Sequence, residues 1–237
     1  MIKHILSMTC VACALSFSLP ANATILADFT GPENTSVGSS SLTVNGVTAT
    51  GFSWDASGSQ WITAELWYRN VPNDHGLGVC STDESCSSGG GDVNEMSNQL
   101  NYEVILLDKG AYGTWEQLWV SSLDSDEIGT VYWGDSSDID TLLGGGIGNY
   151  AEIDSTDFGS AVEGDILGLS ALNSFDATSQ YVLFTPGDFT TSQNKTTGTD
   201  NDYLVWKVAV PEPSIMALLG LGLLGLGAAT KRRNRMR

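Results

Sequence analysis

The chain is poor in histidine, positive charge, cysteine and proline, and each shortage excludes something. Its 237 residues include two histidines, His4 and His75. His4 falls in a leader-like N-terminus, so the body of the chain has a single imidazole. A zinc site would need further imidazole or thiolate ligands. A Ser-His-Asp relay would have one possible base and no Gly-x-Ser-x-Gly elbow to present a nucleophile. Between residues 24 and 210 there are four basic residues (Arg69, Lys109, Lys195, Lys207) against 27 acidic ones, a net charge of −23. A surface of that sign repels a phosphate backbone, so nucleic acid is excluded as a partner. Disorder does not follow from the acidity, because seven Trp, seven Tyr and seven Phe supply apolar area for a core.

The two ends read as addresses. Residues 1–23 hold Lys3, an apolar run from Ile5 to Leu19, Pro20, and the small-x-small pattern Ala21-Asn22-Ala23. This is a secretory signal peptide, with signal peptidase expected to release a chain that begins at Thr24. Cys10 and Cys13 lie inside the apolar run and would leave with it. Cys13 is a poor lipidation site, because Cys10-Val11-Ala12 does not form a lipobox.

At the other end, Pro211-Glu212-Pro213 precedes an apolar run of 17 residues, 214–230, and then Lys231-Arg232-Arg233. As a helix the run would extend about 25 Å, enough to cross a somewhat thinned bilayer core. The basic cluster would hold the far side in the cytoplasm. A plain anchor needs only the last two parts. Two prolines at the outer boundary keep the backbone extended, a form that a membrane-embedded enzyme can grip. The three-part tail resembles the PEP-CTERM sorting signal of Gram-negative bacteria. The resemblance implies recognition of Pro211, Glu212 and Pro213 by an exosortase, transient anchoring in the inner membrane, and delivery to the cell surface or extracellular matrix. It also implies an association with extracellular polysaccharide and biofilm.

Between the ends, short apolar and aromatic runs alternate with Gly/Ser/Asn/Asp clusters. Strands are expected at Ile25–Phe29, Leu42–Thr50, Trp61–Tyr68, Tyr102–Leu107, Leu118–Ser121, Ile128–Trp133, Ile166–Leu169, Tyr181–Thr185 and Tyr203–Val208. Asn45-Gly46 between Thr43-Val44 and Val47-Thr48 is a type I′ hairpin signal. Residues 136–143 (SSDIDTLL) predict one short helix, with Ser136 or Ser137 as its N-cap. Many short strands and no internal repeat predict an all-β, two-sheet β-sandwich of jelly-roll type over residues 24–209, followed by the sorting segment 210–237.

Within the domain, Cys80 and Cys86 are the only cysteines left after leader removal. They sit in a Gly/Ser-rich stretch of an exported chain, so a disulfide closing a small loop is expected. The segment Gly76-Leu77-Gly78-Val79-Cys80, with Cys86 after it and the DSD stretch at 124–126 later, is similar to a group of exosortase-dependent surface proteins. That resemblance implies a surface role and brings no catalytic residues.

Three kinds of chemistry deserve weighing. Glu65, Glu103, Glu116 and Glu152 offer carboxylates that a glycosidase would need in pairs, although 27 acids make some pairing expected by chance. Asp124 and Asp126, and Asp135, Asp138 and Asp140, place oxygens at spacings that suit a hard cation such as calcium, without the glycine and terminal Glu of an EF-hand loop. Trp61, Trp67, Trp119 and Trp133, with Trp115, are candidates for stacking on sugar rings; filling the core is the competing use. The expectation is a non-enzymatic surface or matrix protein with no obligatory cofactor. The alternative is a lectin-like carbohydrate-binding module, with calcium as its only foreseeable ion.

Overall fold

A computed structural model describes residues 24–55, 57–72, 74–81, 86, 95–97, 102–110, 112–123, 128–143, 149–154, 158–159, 165–167, 175–186 and 201–211. The leader, with Ala21 and Ala23, and the tail from Glu212 onward, with Pro213, lie outside them. Thr24–Pro211 forms one compact unit.

In chain order the strands begin with β1 (Thr24–Asp28), β2 (Thr35–Ser36), β3 (Ser41–Val44), β4 (Val47–Asp55), β5 (Gln60–Thr63), β6 (Glu65–Val71) and β7 (Asp74–Cys80). They continue with β8 (Met96–Ser97), β9 (Glu103–Asp108), β10 (Gln117–Ser121) and β11 (Ile128–Gly134). Helix α1 (Ser136–Leu143) follows, then β12 (Asn149–Asp154), β13 (Phe158–Gly159), β14 (Asp165–Leu167), β15 (Tyr181–Pro186) and β16 (Asp202–Pro211).

Among the described residues these strands make two sheets. One has nine strands in the order β13-β14-β10-β16-β7-β6-β2, with β1 and β8 also paired to β16. The other has seven, in the order β12-β11-β15-β9-β4-β3, with β5 paired to β4.

Period-2 alternation explains how the sheets meet. In β9, Ile105 and Leu107 enter the inter-sheet core, and so do Val131 and Trp133 of β11 and Val182 and Phe184 of β15. From the facing sheet come Leu66, Leu77, Val79, Leu118, Val120, Val205 and Val208. Neighbours on the same strands point the other way. Val104, Tyr132 and Leu183 form a second apolar cluster on the outer face of the seven-stranded sheet, covered by Ile139 and Leu143 of α1. This explains why β9, β11 and β15 read as near-continuous apolar runs: both faces are covered.

The expected hairpin is present, with Val44 opposite Val47 and positive φ of 48° at Asn45 and 81° at Gly46. The Tyr112 hydroxyl donates to the Asn45 carbonyl at 3.0 Å and packs where a Gly46 side chain would stand.

The run expected as a single strand, Trp61–Tyr68, is two strands in different sheets. β5 pairs with β4, and β6 pairs with β7. The chain changes sheets at Ala64, whose N–H donates to the Gly51 carbonyl at 3.0 Å. Gly51 has no room for a side chain, since a Cβ would stand 2.9 Å from Leu66.

Strand β7 was not expected, because Gly76-Leu77-Gly78-Val79 reads as loop. It is an interior strand between β6 and β16. Gly76 has φ of 143°, and a Cβ there would stand 2.6 Å from the Val205 carbonyl oxygen. The glycine therefore serves close approach of two backbones.

Candidate functional site

Four groups of residues could carry chemistry: the sorting motif, the acidic side chains, the single histidine and the tryptophans.

The sorting motif starts inside the sheet. β16 runs through Val210 into Pro211, and β1 pairs with it so that Thr24 is opposite Pro211 and Asp28 opposite Lys207. The residue expected to begin the mature chain thus lies opposite the first residue of the Pro-Glu-Pro motif. Among the described residues no helix is long and apolar enough to cross a membrane; the expected span, 214–230, lies outside them.

The disulfide joins Cys80 and Cys86, with Cα atoms 6.1 Å apart. Just past it, Glu103 is fully buried in β9. One of its carboxylate oxygens accepts from the Ser81 N–H and the other from the Ser97 N–H, both at 3.0 Å. Glu103 therefore ties together the two ends of the segment that contains the disulfide. Two backbone donors on one buried carboxylate make Glu103 a tie between chain segments. Glu65, in the other sheet, accepts from the Ser36 hydroxyl, and Glu116 is exposed. Glu152 lies in β12.

A second polar cluster surrounds Arg69 on β6. Its guanidinium reaches Asp74 at 3.0 Å and also contacts Glu95. Glu95 is 1% exposed and lies beside Asp202 and Ser122. Its carboxyl is pushed up to about 7, first by burial and then by the Asp74 charge. Arg69 and hydrogen bonds from Asp202 and Ser122 act in the opposite direction. One cation among three carboxyl groups leaves Glu95 as the natural holder of a proton near neutrality.

Of the aspartates considered as cation ligands, Asp135 and Asp138 cap α1. Asp135 caps α1: its Oδ1 accepts from the N–H and hydroxyl of Ser137 and from the Asp138 N–H, at 2.8, 2.7 and 3.1 Å. Asp138 answers by accepting from the Asp135 N–H at 3.0 Å. This reciprocal capping box corrects the expected cap from Ser136 or Ser137 to Asp135. Hydrogen bonds from Ser137 hold the Asp135 carboxyl below its ordinary value.

The same device recurs at Asp55 with Ser57 and at Asp176 with Thr178. Asp140 is exposed on α1, and Asp124 and Asp126 lie outside the described residues. Among the described residues no group of three or more His, Cys, Asp or Glu side chains is arranged to hold a metal ion.

His75 is a framework residue. Its ring Nδ1 is 2.7 Å from the Asn70 Oδ1, and its ring lies 5.7 Å from that of Trp206. The nearby Ser121 hydroxyl accepts from the His75 N–H and donates to the His75 carbonyl, at 2.9 and 2.6 Å. The serine therefore bonds the histidine's backbone, stapling β7 to β10.

Of the stacking candidates, Trp133 is core: it is 4% exposed and meets Phe175 edge-on at 5.1 Å. Trp115 is also buried, with its indole N–H donating to the Ser179 carbonyl at 2.9 Å. Trp61, Trp67 and Trp119 are half-buried. Trp61 packs edge-on against Trp54, 5.5 Å between ring centres, and this Trp54 partner was not foreseen. Its signal was available: in a β4–β5 hairpin closed around residues 56–59, Trp54 and Trp61 are cross-strand partners.

Residues 209–233 match the model of the PEP-CTERM protein-sorting motif. No curated protein and no solved structure matches the chain. The chain thus carries, beginning within the last strand of its sandwich, the membrane-anchoring sorting signal of exported proteins that exosortases process in Gram-negative bacteria.

Proposed function

We propose that this is a non-enzymatic surface or matrix protein, whose acidic sandwich is exported, held briefly in the inner membrane, and handed by an exosortase to the extracellular polysaccharide layer. The observation that carries the reading is the sorting motif at 209–233, joined to a sandwich in which Glu103 and Asp135 hold the fold together. Glu103 and Asp135 accept from backbone N–H groups, and Ser121 is bonded to backbone. A carbohydrate-binding role is the second reading, favoured by the Trp54–Trp61 pair, which is half-buried at one end of the seven-stranded sheet.

Intact-mass analysis of the protein from a host with its exosortase and a host without it tests the first reading. The expected species begins at Thr24 and ends near residues 211–214 in the first host, and keeps its basic tail in the membrane in the second. Persistence of Arg237 in both would reduce the tail to an anchor. Retention on polysaccharide columns, lost on Trp61→Ala, would move the reading to the second.

A further inference from the structure

Strand β16 is held on two edges for most of its length, and on one edge at its end. On one side β10 pairs with it from Ser121 opposite Leu204 to Gln117 opposite Ala209, and the Glu116 N–H donates to the Ala209 carbonyl at 2.8 Å. That ladder stops at Ala209. Val210 and Pro211 pair only with β1 among the described residues, through Ile25 and Thr24. Both belong to the segment that matches the sorting motif. The motif therefore begins as sheet, not as linker, and beyond Ala209 β1 alone pairs with it among the described residues.

The pairing is braced farther in. The Lys207 ammonium is 3.3 Å from the Asp28 carboxylate and lies over the Trp206 ring at 3.9 Å. The Trp206 indole N–H donates to the Thr30 hydroxyl at 2.9 Å. Asn45 donates from its side chain to the Leu26 carbonyl at 2.8 Å, while Ala27 and Val208 are fully buried. These braces lie at residues 26–30 and 206–208; beyond them the outer two rungs are held by their own pairing and by Val210, a fully buried member of the core.

An enzyme that grips an extended backbone uses the same N–H and C=O groups that a neighbouring strand occupies. We propose that β1 is a clasp on the sorting motif: exosortase processing draws on the molecules in which the Thr24–Pro211 and Ile25–Val210 rungs are open. This rests on the exosortase reading above. When opening and closing are fast, cleavage follows the population of the open form.

The test uses the full chain in its exosortase-containing host, with pulse-labelling and mass analysis of the C-terminus. Ile25→Pro removes the β1 N–H that faces Val210, because the Phe29 N–H donates to the Trp206 carbonyl and alternation along the strand turns the N–H groups of Ala27 and Ile25 toward β16 as well. Leu26→Cys combined with Ala209→Cys places two thiols on directly opposed residues, within reach of a cross-strand disulfide. The proline should shorten the processing half-time severalfold. The disulfide should lengthen it roughly tenfold, the effect of suppressing an opening by about 1.4 kcal/mol, and reductant should restore it. Ala209→Cys alone controls for altering the motif. If the two cysteines do not join, the proline variant decides. A wild type that is cut, with half-times unmoved in the variants, overturns the clasp alone. A wild type that is never cut overturns the exosortase reading and the clasp with it.

Discussion

Raising the pH should destabilise this domain through Glu95, and the size of the effect follows from its surroundings. The carboxyl is buried beside Asp202 and within the field of Asp74, with Arg69 as the compensating charge. Unfolded, it would lose its proton near 4.5; folded, it keeps it to about 7. The folded state therefore binds more protons between those values. Stability falls as pH rises through that window and stays at the lower level above it. A shift of this size corresponds to about 3 kcal/mol. Solvent screening reduces it little, because Glu95 is 1% exposed. In a domain of this size that is about 6–12 °C in Tm.

The background runs in the same direction, since a chain this acidic repels itself more strongly as its carboxyl groups ionise. The informative quantity is therefore a difference. Glu95→Gln, which imitates the protonated side chain, should remove the Glu95 share and leave the background. Thermal unfolding of the exported protein, followed by circular dichroism from pH 4.5 to 8, should show the wild type losing several degrees more than the variant. Parallel curves would refute the assignment of the proton to Glu95.

Glu103→Ala should cost about 3–5 kcal/mol, since it leaves the buried Ser81 and Ser97 N–H groups without their acceptor; denaturant unfolding reads this directly, and a loss below about 1 kcal/mol would contradict the clamp role. Asp135→Ala should cost about 1 kcal/mol through the lost helix cap, with the same loss in calcium and in chelator. A calcium-dependent difference between Asp135→Ala and wild type would instead favour a cation at this turn. Below pH 4 the wild type should lose stability again, because hydrogen bonds hold Asp55, Asp135 and Asp176 below their ordinary value and that contribution disappears as they protonate; an acid titration of Tm checks this.

How much of this was legible depended on whether the deciding partner lay nearby in sequence. Asn45-Gly46 announces its hairpin because the turn needs two positive φ values that other residue pairs disfavour. The sandwich was legible from alternation and turn density. The change of sheet at Ala64 was not: alternation continues through Trp61–Tyr68, and only Gly51, on a strand paired through β5, marks the crossing. β7 was missed because glycine in a strand lowers its apparent propensity, while the reason for the glycine is Val205, far along the chain. Trp133 stayed open between stacking and core because period-2 says that residues alternate, not which face is inner. The closely spaced aspartates stayed open because the same oxygens suit a cation or a cap; at Asp135 and Asp138 the chain uses them to cap α1.

The scarce positive charges complete the electrostatic account. Arg69 is consumed by Asp74 and Glu95. Lys109 is 2% exposed, with its ammonium donating to the Thr178 and Ser179 carbonyls, and burial lowers its pKa. Lys207 is shared between Asp28 and the Trp206 ring. Lys195 lies outside the described residues. The three described cations thus serve the framework, and each is half-buried or buried. Most of the 27 acidic residues of the domain therefore have no lysine or arginine to neutralise them. Net charge of that sign favours solubility and repulsion between copies. An anionic polysaccharide would approach it only through shared counter-ions. A neutral one would meet no electrostatic barrier, so contact with it would depend on half-buried aromatic groups such as Trp54 and Trp61.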